Sequence, residues 1–455
     1  MRAPSLVTLL LVIATAIIVT GCGAQPTATP VPAAQPTATP APAAQPTATL
    51  APVAQEIHWT IWAQTGSPAE TELMQHINER FMAKHPGLTI ELQTTADYVQ
   101  QTNNLKLALP AGEGPDISYT QPGPEFTSKF GEADWIIDLQ PYIEKYGIDK
   151  VVSQEMIRYF NTDSHGNFVE NYALAWDVVV QGMYYNTETF DEEGLKPPVT
   201  REEWEDLLAT LKEKGYTALC ADGQDGPMFA MLAKYILHLN TDYEDLRALH
   251  FATGEANWDT PQVTQALQYM RDWYEAGYFE KDVLATGYED SVKLFIDGKC
   301  AMLYNGTWSA GQMATDPAFK AGFFVLPPLN TDIPYHVAYT PNNAWIISSS
   351  TPDKDLAGEY IGFLYSEEVA RMQWENSALP VRKFETVPDP VSDIQAVAYE
   401  ATQKAGPGFW LTDPAPNVDE AWATIIHDVA TGAVSVPEVQ AILVDAYAKD
   451  LAGGE

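Results

Sequence analysis

Strand and helix signals alternate along most of this chain, and this alternation is the strongest constraint on its fold. Residues 57–62 and 88–92 are rich in β-branched and aromatic side chains, and an amphipathic helix pattern separates them. Ser67 can cap that helix, Pro68 suits its first position, and Glu70 would complete a capping box with Ser67. A second helix pattern then leads to a turn and strand at residues 114–119. This order predicts a parallel sheet with right-handed crossovers.

The same alternation begins again in the second half of the globular region. Thr200 and Thr260 precede two further helix patterns, and residues 344–348 form an apolar, β-branched run typical of a buried strand. Further short strands are predicted at 173–176, 182–186, 216–220 and 300–304. About four hundred residues are too many for one small core. We therefore predict two α/β units, the first of which the chain revisits late.

The N-terminus resembles a bacterial lipoprotein signal. Arg2 precedes an uncharged, largely apolar run from Leu6 to Val19, which is too short to span a bilayer comfortably. Cys22 follows the small residues that end this run, and the resemblance implies that it becomes the lipidated N-terminus of the mature protein. The alternative is an ordinary signal peptide that contains Cys22 by chance.

A Pro-, Thr- and Ala-rich tether is predicted over residues 23–55. Its unit Ala-Gln-Pro-Thr-Ala-Thr occurs three times, and it has no charge and no large apolar side chain before Leu50. Such a segment has nothing to bury, so we expect it to be disordered. In polyproline II conformation it would reach roughly 100 Å. We expect the globular domain to be held this far from its lipid at the extracytoplasmic face of the membrane.

Charge and cysteine content narrow the ligand class and the compartment. A net charge of −36 repels nucleic acid, phosphate-rich ligands and anionic membrane surfaces, so we expect no nucleic-acid partner. It favours a neutral or cationic ligand. Besides Cys22 the chain contains Cys220 and Cys300, and an oxidising compartment permits a disulfide between them. Two buried free thiols are the alternative.

Several motifs in the globular region closely resemble family 1 of the bacterial extracellular solute-binding proteins, the maltose-binding-protein-like lipoproteins that serve ABC sugar importers. The resemblance covers residues from about 57 to 450, and its order and spacing are more specific than any single motif. The matching segments are Trp62, Gly114–Ile117 (Gly-Pro-Asp-Ile), Tyr184–Asn186, Gly194–Leu195, Pro197–Trp204, Phe295–Met302, Asn305–Trp308 and Ala357–Phe363. Cys300 and Arg201 depart from the family pattern.

This resemblance implies a two-lobed periplasmic-binding-protein-like fold of type II, with ligand held between the lobes. The N-lobe would comprise residues 56–177 and 343–386, and the C-lobe residues 182–338 and 387–455. Crossing strands near 177–181, 339–343 and 384–389 would form the hinge. The implied function is capture of a neutral mono- or oligosaccharide by a monomer, which delivers it to the permease subunits of an ABC transporter.

A sugar site needs flat aromatic rings for the C–H faces of the sugar and polar side chains for its hydroxyls. Trp308 is the first candidate platform, because the resemblance places it on a sugar-stacking tryptophan; a hydrophobic plug at the hinge is the alternative. Trp62 and Trp422 are further candidates, each with core packing as the alternative. The polar candidates follow predicted strands or lie at implied crossings: Gln64, Thr65, Ser67, Thr120, Gln121, Asp177, Asp225, Asn342 and Asn343. Ser67 has the competing role of helix cap.

We expect no enzymatic activity, cofactor or metal site. The sequence lacks H-E-x-x-H, G-x-S-x-G and P-loop motifs and zinc-type Cys/His spacing. Asp177 and Asp225 could be cast as the carboxylate pair of a glycoside hydrolase, but carboxylates are too common in this chain for that to be specific. A binding protein for a cationic peptide or polyamine is the nearer alternative, since the net charge suits it.

Overall fold

The computed structural model describes residues 56–455 except for short segments at 96–97, 122–123, 164–165, 225–226, 254–256, 337–338, 405–407, 409–414 and 454–455. The predictions for Cys22, the signal segment, the tether and Asp225 lie outside the described residues. No helix within the described part is long and apolar enough to cross a membrane.

The described chain alternates strands with helices, as predicted. The strands are β1 Ile57–Gln64, β2 Leu88–Thr95, β3 Ile117–Thr120, β4 Leu174–Ala175, β5 Asp177–Asn186, β6 Leu219–Cys220, β7 Met302–Gly306, β8 Ala321–Phe324, β9 Tyr339–Pro341, β10 Ala344–Ile347 and β11 Leu379–Pro380. The helices in the first half are α1 Pro68–Lys84, α2 Tyr98–Ala111, α3 Pro124–Glu132, α4 Gln140–Tyr146, α5 Gln154–Arg158, α6 Thr187–Glu193, α7 Arg201–Glu213 and α8 Pro227–His238. Those in the second half are α9 Tyr243–His250, α10 Pro261–Glu275, α11 Tyr288–Ile296, α12 Ala310–Thr315, α13 Lys354–Leu364, α14 Glu367–Glu375, α15 Asp393–Lys404, α16 Pro416–Thr431 and α17 Val436–Gly453.

The predicted helix caps are confirmed. Ser67, Thr200 and Thr260 each accept a hydrogen bond from a backbone N–H three residues later, at 3.2 to 3.3 Å. These bonds satisfy N–H groups that the first turn of a helix leaves without an intrahelical partner. Glu70 was expected to complete a capping box with Ser67, but its carboxylate accepts instead from the N–H of Gly66, at 2.7 Å. The helix therefore fixes the position of the Glu70 carboxylate.

The first sheet has the strand order β2-β1-β3-β10-β4. Strand β1 runs parallel to β2 and β3, as the crossover helices α1 and α2 require. Strand β10, which comes from far along the chain, is antiparallel to both β3 and β4. We call the part of the protein built on this sheet the first lobe; the late return of the chain at β10 confirms the prediction that this unit is revisited.

The second sheet is organised around the long strand β5. Strands β11, β8 and β9 pair with β5 in antiparallel fashion, as does β7, and β6 runs parallel to β7. We call the part built on this sheet the second lobe. Only Trp176 lies between the end of β4 and the start of β5, and Asn342 and Asn343 lie between β9 and β10. The chain thus passes between the sheets at Trp176 and at Asn342–Asn343. It reaches the second sheet again at β11, earlier than the predicted third crossing at 384–389.

The second lobe also contains the Cys220–Cys300 disulfide, which joins β6 to the residues just before β7 with a Cα–Cα distance of 5.7 Å. Both cysteines are buried. Because 80 residues separate them in sequence, the bond closes a long loop.

Candidate functional site

A cavity lies between the two lobes where the chain crosses from one sheet to the other. The first lobe contributes the first turn of α1 and the segment from the end of α14 to β11, including Ser67, Glu70, Gln373, Asn376 and Ser377. On the opposite side, the lining residues belong to the start of β5, to the crossing at Asn342 and to the 3₁₀ turn Thr307–Ser309. The cavity has a volume of about 50 Å³, well below the roughly 300 Å³ at which small-molecule pockets begin.

Trp308 is held at the wall of this cavity by two neighbours. Its indole Nε1–H donates to the Tyr288 hydroxyl at 2.9 Å, which fixes the orientation of the ring. Its ring lies directly against the backbone of Gly306, because a Cβ built at that position would be 2.0 Å from a ring carbon of Trp308. Any residue other than glycine would therefore displace the ring. The side chain remains partly exposed, so one part of the indole is available to a ligand.

Asp177, the first residue of β5, is buried at the junction of the two sheets. The Tyr119 hydroxyl donates to its Oδ1 at 2.7 Å, and Nδ2 of Asn342 lies 3.3 Å from its Oδ2. Burial raises the pKa of Asp177 to about 6, although these two hydrogen bonds favour the charged form and oppose the shift. Asp177 thus connects β3 of the first lobe with the crossing at Asn342.

Glu70 is the second carboxylate of the cavity. Burial of the carboxylate, together with the like charge of Asp177, raises the pKa of Glu70 to about 8, and the hydrogen bond from Gly66 opposes this rise. The side chain as a whole keeps some solvent contact. Near neutral pH the two groups compete for ionisation, as closely placed carboxylates do.

The raised pKa values of Glu70 and Asp177 should make the free energy of unfolding depend on pH. Each has a folded-state pKa above its ordinary value of 4.5 for Glu70 and 3.8 for Asp177. The folded protein therefore retains protons that the unfolded chain has released, and the free energy of unfolding falls as pH rises from about 4 to about 8. We expect the melting temperature of the unliganded protein to fall more steeply over this range than that of the variant Glu70→Gln/Asp177→Asn. Equal slopes in the two proteins would contradict this assignment.

The structure brings part of the expected site together. Ser67, Asp177, Trp308 and Asn342 line the cavity. Beside it, Nδ2 of Asn343 donates to Oε1 of Gln64 at 2.7 Å, so these two expected residues join β10 to the end of β1.

The other expected residues lie further from the cavity. Thr65 and Thr120 are buried, and the Thr65 hydroxyl lies 3.0 Å from that of Thr71. Gln121 is half-buried after β3. Trp62 is also half-buried, and it packs against the core of the first lobe. None of these four described residues lines the cavity.

Trp422 requires a correction. Its side chain is fully buried on α16, and its ring makes an edge contact with Trp258 at a centroid distance of 5.9 Å. Because Val418, Ile425 and Ile426 are buried on the same helix, the apolar face of α16 points into the core of the second lobe. Trp422 offers no surface to a ligand in the cleft, and we remove it from the candidate site.

Several cavity residues were not singled out in the sequence. Glu70 was interpreted only as part of a helix cap. Gln373, Asn376 and Ser377 come from the end of α14 and the turn after it, where Ser377 has a positive φ of 65°. Their polar side chains gave no periodic signal, and more than 290 residues separate them from Ser67. Only the path of the chain back to β11 places them opposite Trp308.

The described residues offer one cluster of three metal-ligating side chains, formed by Cys220, Glu280 and Cys300. Two of these three are joined in the disulfide, so they lack the thiolates that a metal would need. The cavity itself contains two carboxylates among neutral side chains. Its lining combines these polar groups with apolar side chains, among them those of Trp176 and Trp308.

Two lobes with crossing chain segments and a cavity at the crossing define the class of solute-binding proteins. Residues 63–371 match the family described as bacterial extracellular solute-binding protein, and the chain belongs to that family. It is a family of binding proteins that act outside the cytoplasm. The predicted two-lobed α/β fold is confirmed by solved structures that superimpose over most of the chain.

The chain is similar to several sugar-binding proteins. The maltotriose-binding protein of Pyrococcus abyssi is 24% identical over 367 residues, which cover 79% of this chain and 74% of the relative. The lactose-binding protein of Rhizobium radiobacter is 22% identical, and the alignment covers 65% of this chain and 68% of that protein. Among solved structures, a chitin oligosaccharide binding protein superimposes with a TM-score of 0.72 at 22% identity. The superposition covers 86% of this chain and 99% of the chain of that protein. The structure of RafE in complex with raffinose superimposes with a TM-score of 0.69 at 19% identity. The superposition covers 86% of this chain and 100% of the RafE chain.

Proposed function

We propose that this protein captures a carbohydrate in the cavity between its lobes and delivers it to the permease of an ABC transporter without altering it. The observation that carries the proposal is the position of Trp308. Its partly exposed indole lies opposite the polar first turn of α1, with Ser67, Asn342 and Asn376 around it. A flat ring for the C–H face of a sugar and nearby groups for its hydroxyls are the two requirements of a sugar site.

The similarity to proteins named for maltotriose, lactose and galactooligosaccharide binding supports the same ligand class. Family membership supports a role with ABC permease subunits as partners. We further propose that the protein acts as a monomer, because one chain supplies both walls of the cavity.

Calorimetric titration of the domain from Glu56 with neutral mono- and oligosaccharides tests the proposal. A sugar that binds with micromolar or better affinity, and is recovered unchanged, is the expected result. Incubation with glycosides provides the second measurement: release of new reducing ends in proportion to protein would instead favour a glycoside hydrolase. Binding of dipeptides or polyamines with no response to any sugar would favour the cationic-ligand alternative.

We propose lobe boundaries at residues 56–177 with 343–386 for the N-lobe, and 182–338 with 387–455 for the C-lobe; strand β11 falls within the N-lobe range although it pairs with β5 of the second sheet. Because the cavity of about 50 Å³ is far smaller than the roughly 300 Å³ at which small-molecule pockets begin, the lobes must separate before a sugar can enter. A ligand that contacts both lobes then favours the closed state. We expect small-angle scattering to give a smaller radius of gyration at saturating ligand than without ligand. An unchanged radius at saturation would contradict hinge closure.

We propose that Cys22 carries the lipid anchor and that residues 23–55 form the tether. The support is the order of Arg2, the apolar run and the small residues before Cys22. We expect Cys22→Ala to move the protein from the membrane fraction to the soluble fraction while its ligand affinity stays unchanged, because the tether separates anchor and cleft. Continued membrane retention of the variant would show that another feature anchors the chain.

A further inference from the structure

Three side chains that can bind a metal meet at the edge of the second sheet, away from the cavity between the lobes. They are Cys220 at the end of β6, Cys300 just before β7, and Glu280 from the segment after α10. The two sulfurs and a carboxylate oxygen of Glu280 all lie within 4.8 Å of one another. None of the three is among the described residues that line the cavity, so this cluster is separate from the proposed carbohydrate site.

Backbone hydrogen bonds hold these three positions together independently of the disulfide. The Glu280 N–H donates to the Leu219 carbonyl at 3.0 Å, which fixes the segment of Glu280 along one side of β6. On the other side of β6, the Ala301 N–H donates to the Thr217 carbonyl at 2.8 Å and fixes the segment that carries Cys300. Reduction breaks the S–S bond but none of these backbone bonds. The two thiols and the carboxylate therefore stay close together in the reduced protein.

The Glu280 carboxylate faces the two sulfurs with unused bonding capacity. Both of its oxygens are buried, and neither makes a hydrogen bond of ordinary geometry to a described group, although the Ala221 N–H and the Thr286 hydroxyl lie nearby. Buried polar atoms normally have such partners, because leaving water without them costs free energy. This carboxylate is thus available to a ligand that binds between it and the sulfurs.

The spacing of the cysteines suits a metal as well as a disulfide. Their Cα atoms are 5.7 Å apart. In a tetrahedral zinc site with Zn–S bonds of about 2.3 Å, the two sulfurs lie roughly 3.8 Å from each other. After reduction, small rotations of the two side chains are enough to reach this separation, and no movement of the backbone is needed.

We propose that the reduced protein binds one Zn²⁺ ion, or another thiophilic divalent metal, through the thiolates of Cys220 and Cys300 and the carboxylate of Glu280. Thiolate and carboxylate are both zinc ligands, and a tetrahedral ion would keep its fourth position for water. This site adds a second activity to the proposed carbohydrate function and does not depend on it. The reduced form is a state through which every chain passes before its disulfide forms.

Metal and disulfide exclude each other at this site. The ion holds both sulfurs as thiolates, whereas disulfide formation removes two electrons from them. An oxidant such as oxidised glutathione accepts these two electrons together with two protons from water and leaves as two thiols, while the Zn²⁺ ion is released. We therefore expect bound zinc to slow disulfide formation, and disulfide formation to release the zinc in equal amount.

Cobalt spectroscopy of the full chain tests the site. The variant Cys22→Ala leaves Cys220 and Cys300 as the only cysteines. Its reduced form is refolded without oxygen in the presence of Co²⁺, so that burial of the site cannot block entry, and unbound metal is removed by gel filtration. We expect one Co²⁺ per chain, with the sulfur-to-cobalt charge-transfer band and visible bands of a tetrahedral site, and none in the oxidised chain. A reduced chain that retains no metal would overturn the proposal.

A matched pair of variants tests the part played by Glu280. Glu280→Gln removes the coordinating charge and keeps the size of the side chain, so we expect the reduced protein to bind Zn²⁺ at least about tenfold more weakly. Glu289→Gln makes the same charge change at an exposed position of α11, and we expect its zinc affinity to stay at that of the parent. If Glu280→Gln binds as tightly as the parent, the two thiols bind alone and the three-residue site is refuted. An equal loss in both variants would assign the effect to overall charge.

A further measurement needs no change at Glu280 and guards against a variant that does not fold. The reduced Cys22→Ala chain is exposed to oxidised glutathione with and without one equivalent of Zn²⁺, and the loss of free thiols is followed over time. We expect zinc to slow this loss several-fold and a zinc indicator to report its release as the disulfide forms. Equal rates with and without zinc would overturn the proposal.

Discussion

Replacing Trp308 by alanine is expected to weaken carbohydrate binding by roughly thirtyfold, equivalent to about 2 kcal/mol. The variant removes the aromatic wall of the cavity, and the polar groups opposite it lose the surface that positions a sugar ring. Trp308→Phe should lose less, because a smaller ring still packs against a sugar. It also loses the indole N–H that donates to Tyr288, so its affinity should not reach that of the wild type.

A matched variant separates binding from folding. Trp135 is another half-buried tryptophan, which packs against Phe130 in the first lobe at a ring-centroid distance of 5.2 Å and lies outside the cavity lining. We expect Trp135→Ala to lower the melting temperature and to leave ligand affinity unchanged. Titration calorimetry and unliganded melting curves of both variants provide the comparison. If Trp308→Ala binds like the wild type but melts earlier, Trp308 is a hinge plug and no sugar platform.

Removing the Cys220–Cys300 disulfide is expected to lower the stability of the second lobe by about 4 kcal/mol. The bond closes a loop between residues that are 80 positions apart, so the oxidised unfolded chain has fewer conformations available than the reduced one. We expect the double variant Cys220→Ala/Cys300→Ala to melt roughly 10 °C below the oxidised wild type. Alanine is the suitable replacement because both positions are buried.

Reduction of the wild type supplies the control for this experiment. A thiol reductant should bring the wild-type melting temperature close to that of the double variant, and it should leave the double variant unchanged. Ligand affinity below the melting range should persist, since neither cysteine lines the cavity. An oxidised wild type that melts with the double variant would show that the bond adds no stability.

Local sequence signals predicted most elements of the fold. The side-chain oxygens of Ser67, Thr200 and Thr260 each accept a hydrogen bond from the backbone N–H three residues later. Because this bond involves only neighbouring residues, the start of each helix can be predicted from local sequence. Strand β10 was predicted from its apolar, β-branched residues. Strand β6 is shorter than predicted, since only Leu219 and Cys220 pair with β7. Tyr216 and Thr217 lie before the paired segment, and the ladder of β7 begins at Met302, opposite Leu219.

The candidate site was less predictable because its walls meet only through the path of the chain. Trp308 and Asp177 were identified by their place in a family pattern, and the structure puts both at the cavity. Trp422 has the same aromatic character, but its neighbours on α16 show that periodic burial decides its role. Glu70 and Asn376 had no such pattern. Their place in the cavity depends on the contact between α1 and the segment after α14, which no local spacing encodes.

The position of Asp177 at the passage between the sheets has a consequence for the order of ligand contacts. A residue near an axis of rotation moves little when the bodies on either side turn, whereas Ser67 on α1 and Trp308 after β7 lie on separate bodies. If the lobes close as proposed, a ligand that enters the open cleft meets Asp177 in nearly its final position, where the buried Tyr119 hydroxyl holds it by a hydrogen bond. The encounter rate would then depend on this fixed acid, and the residence time on the two walls that close afterwards.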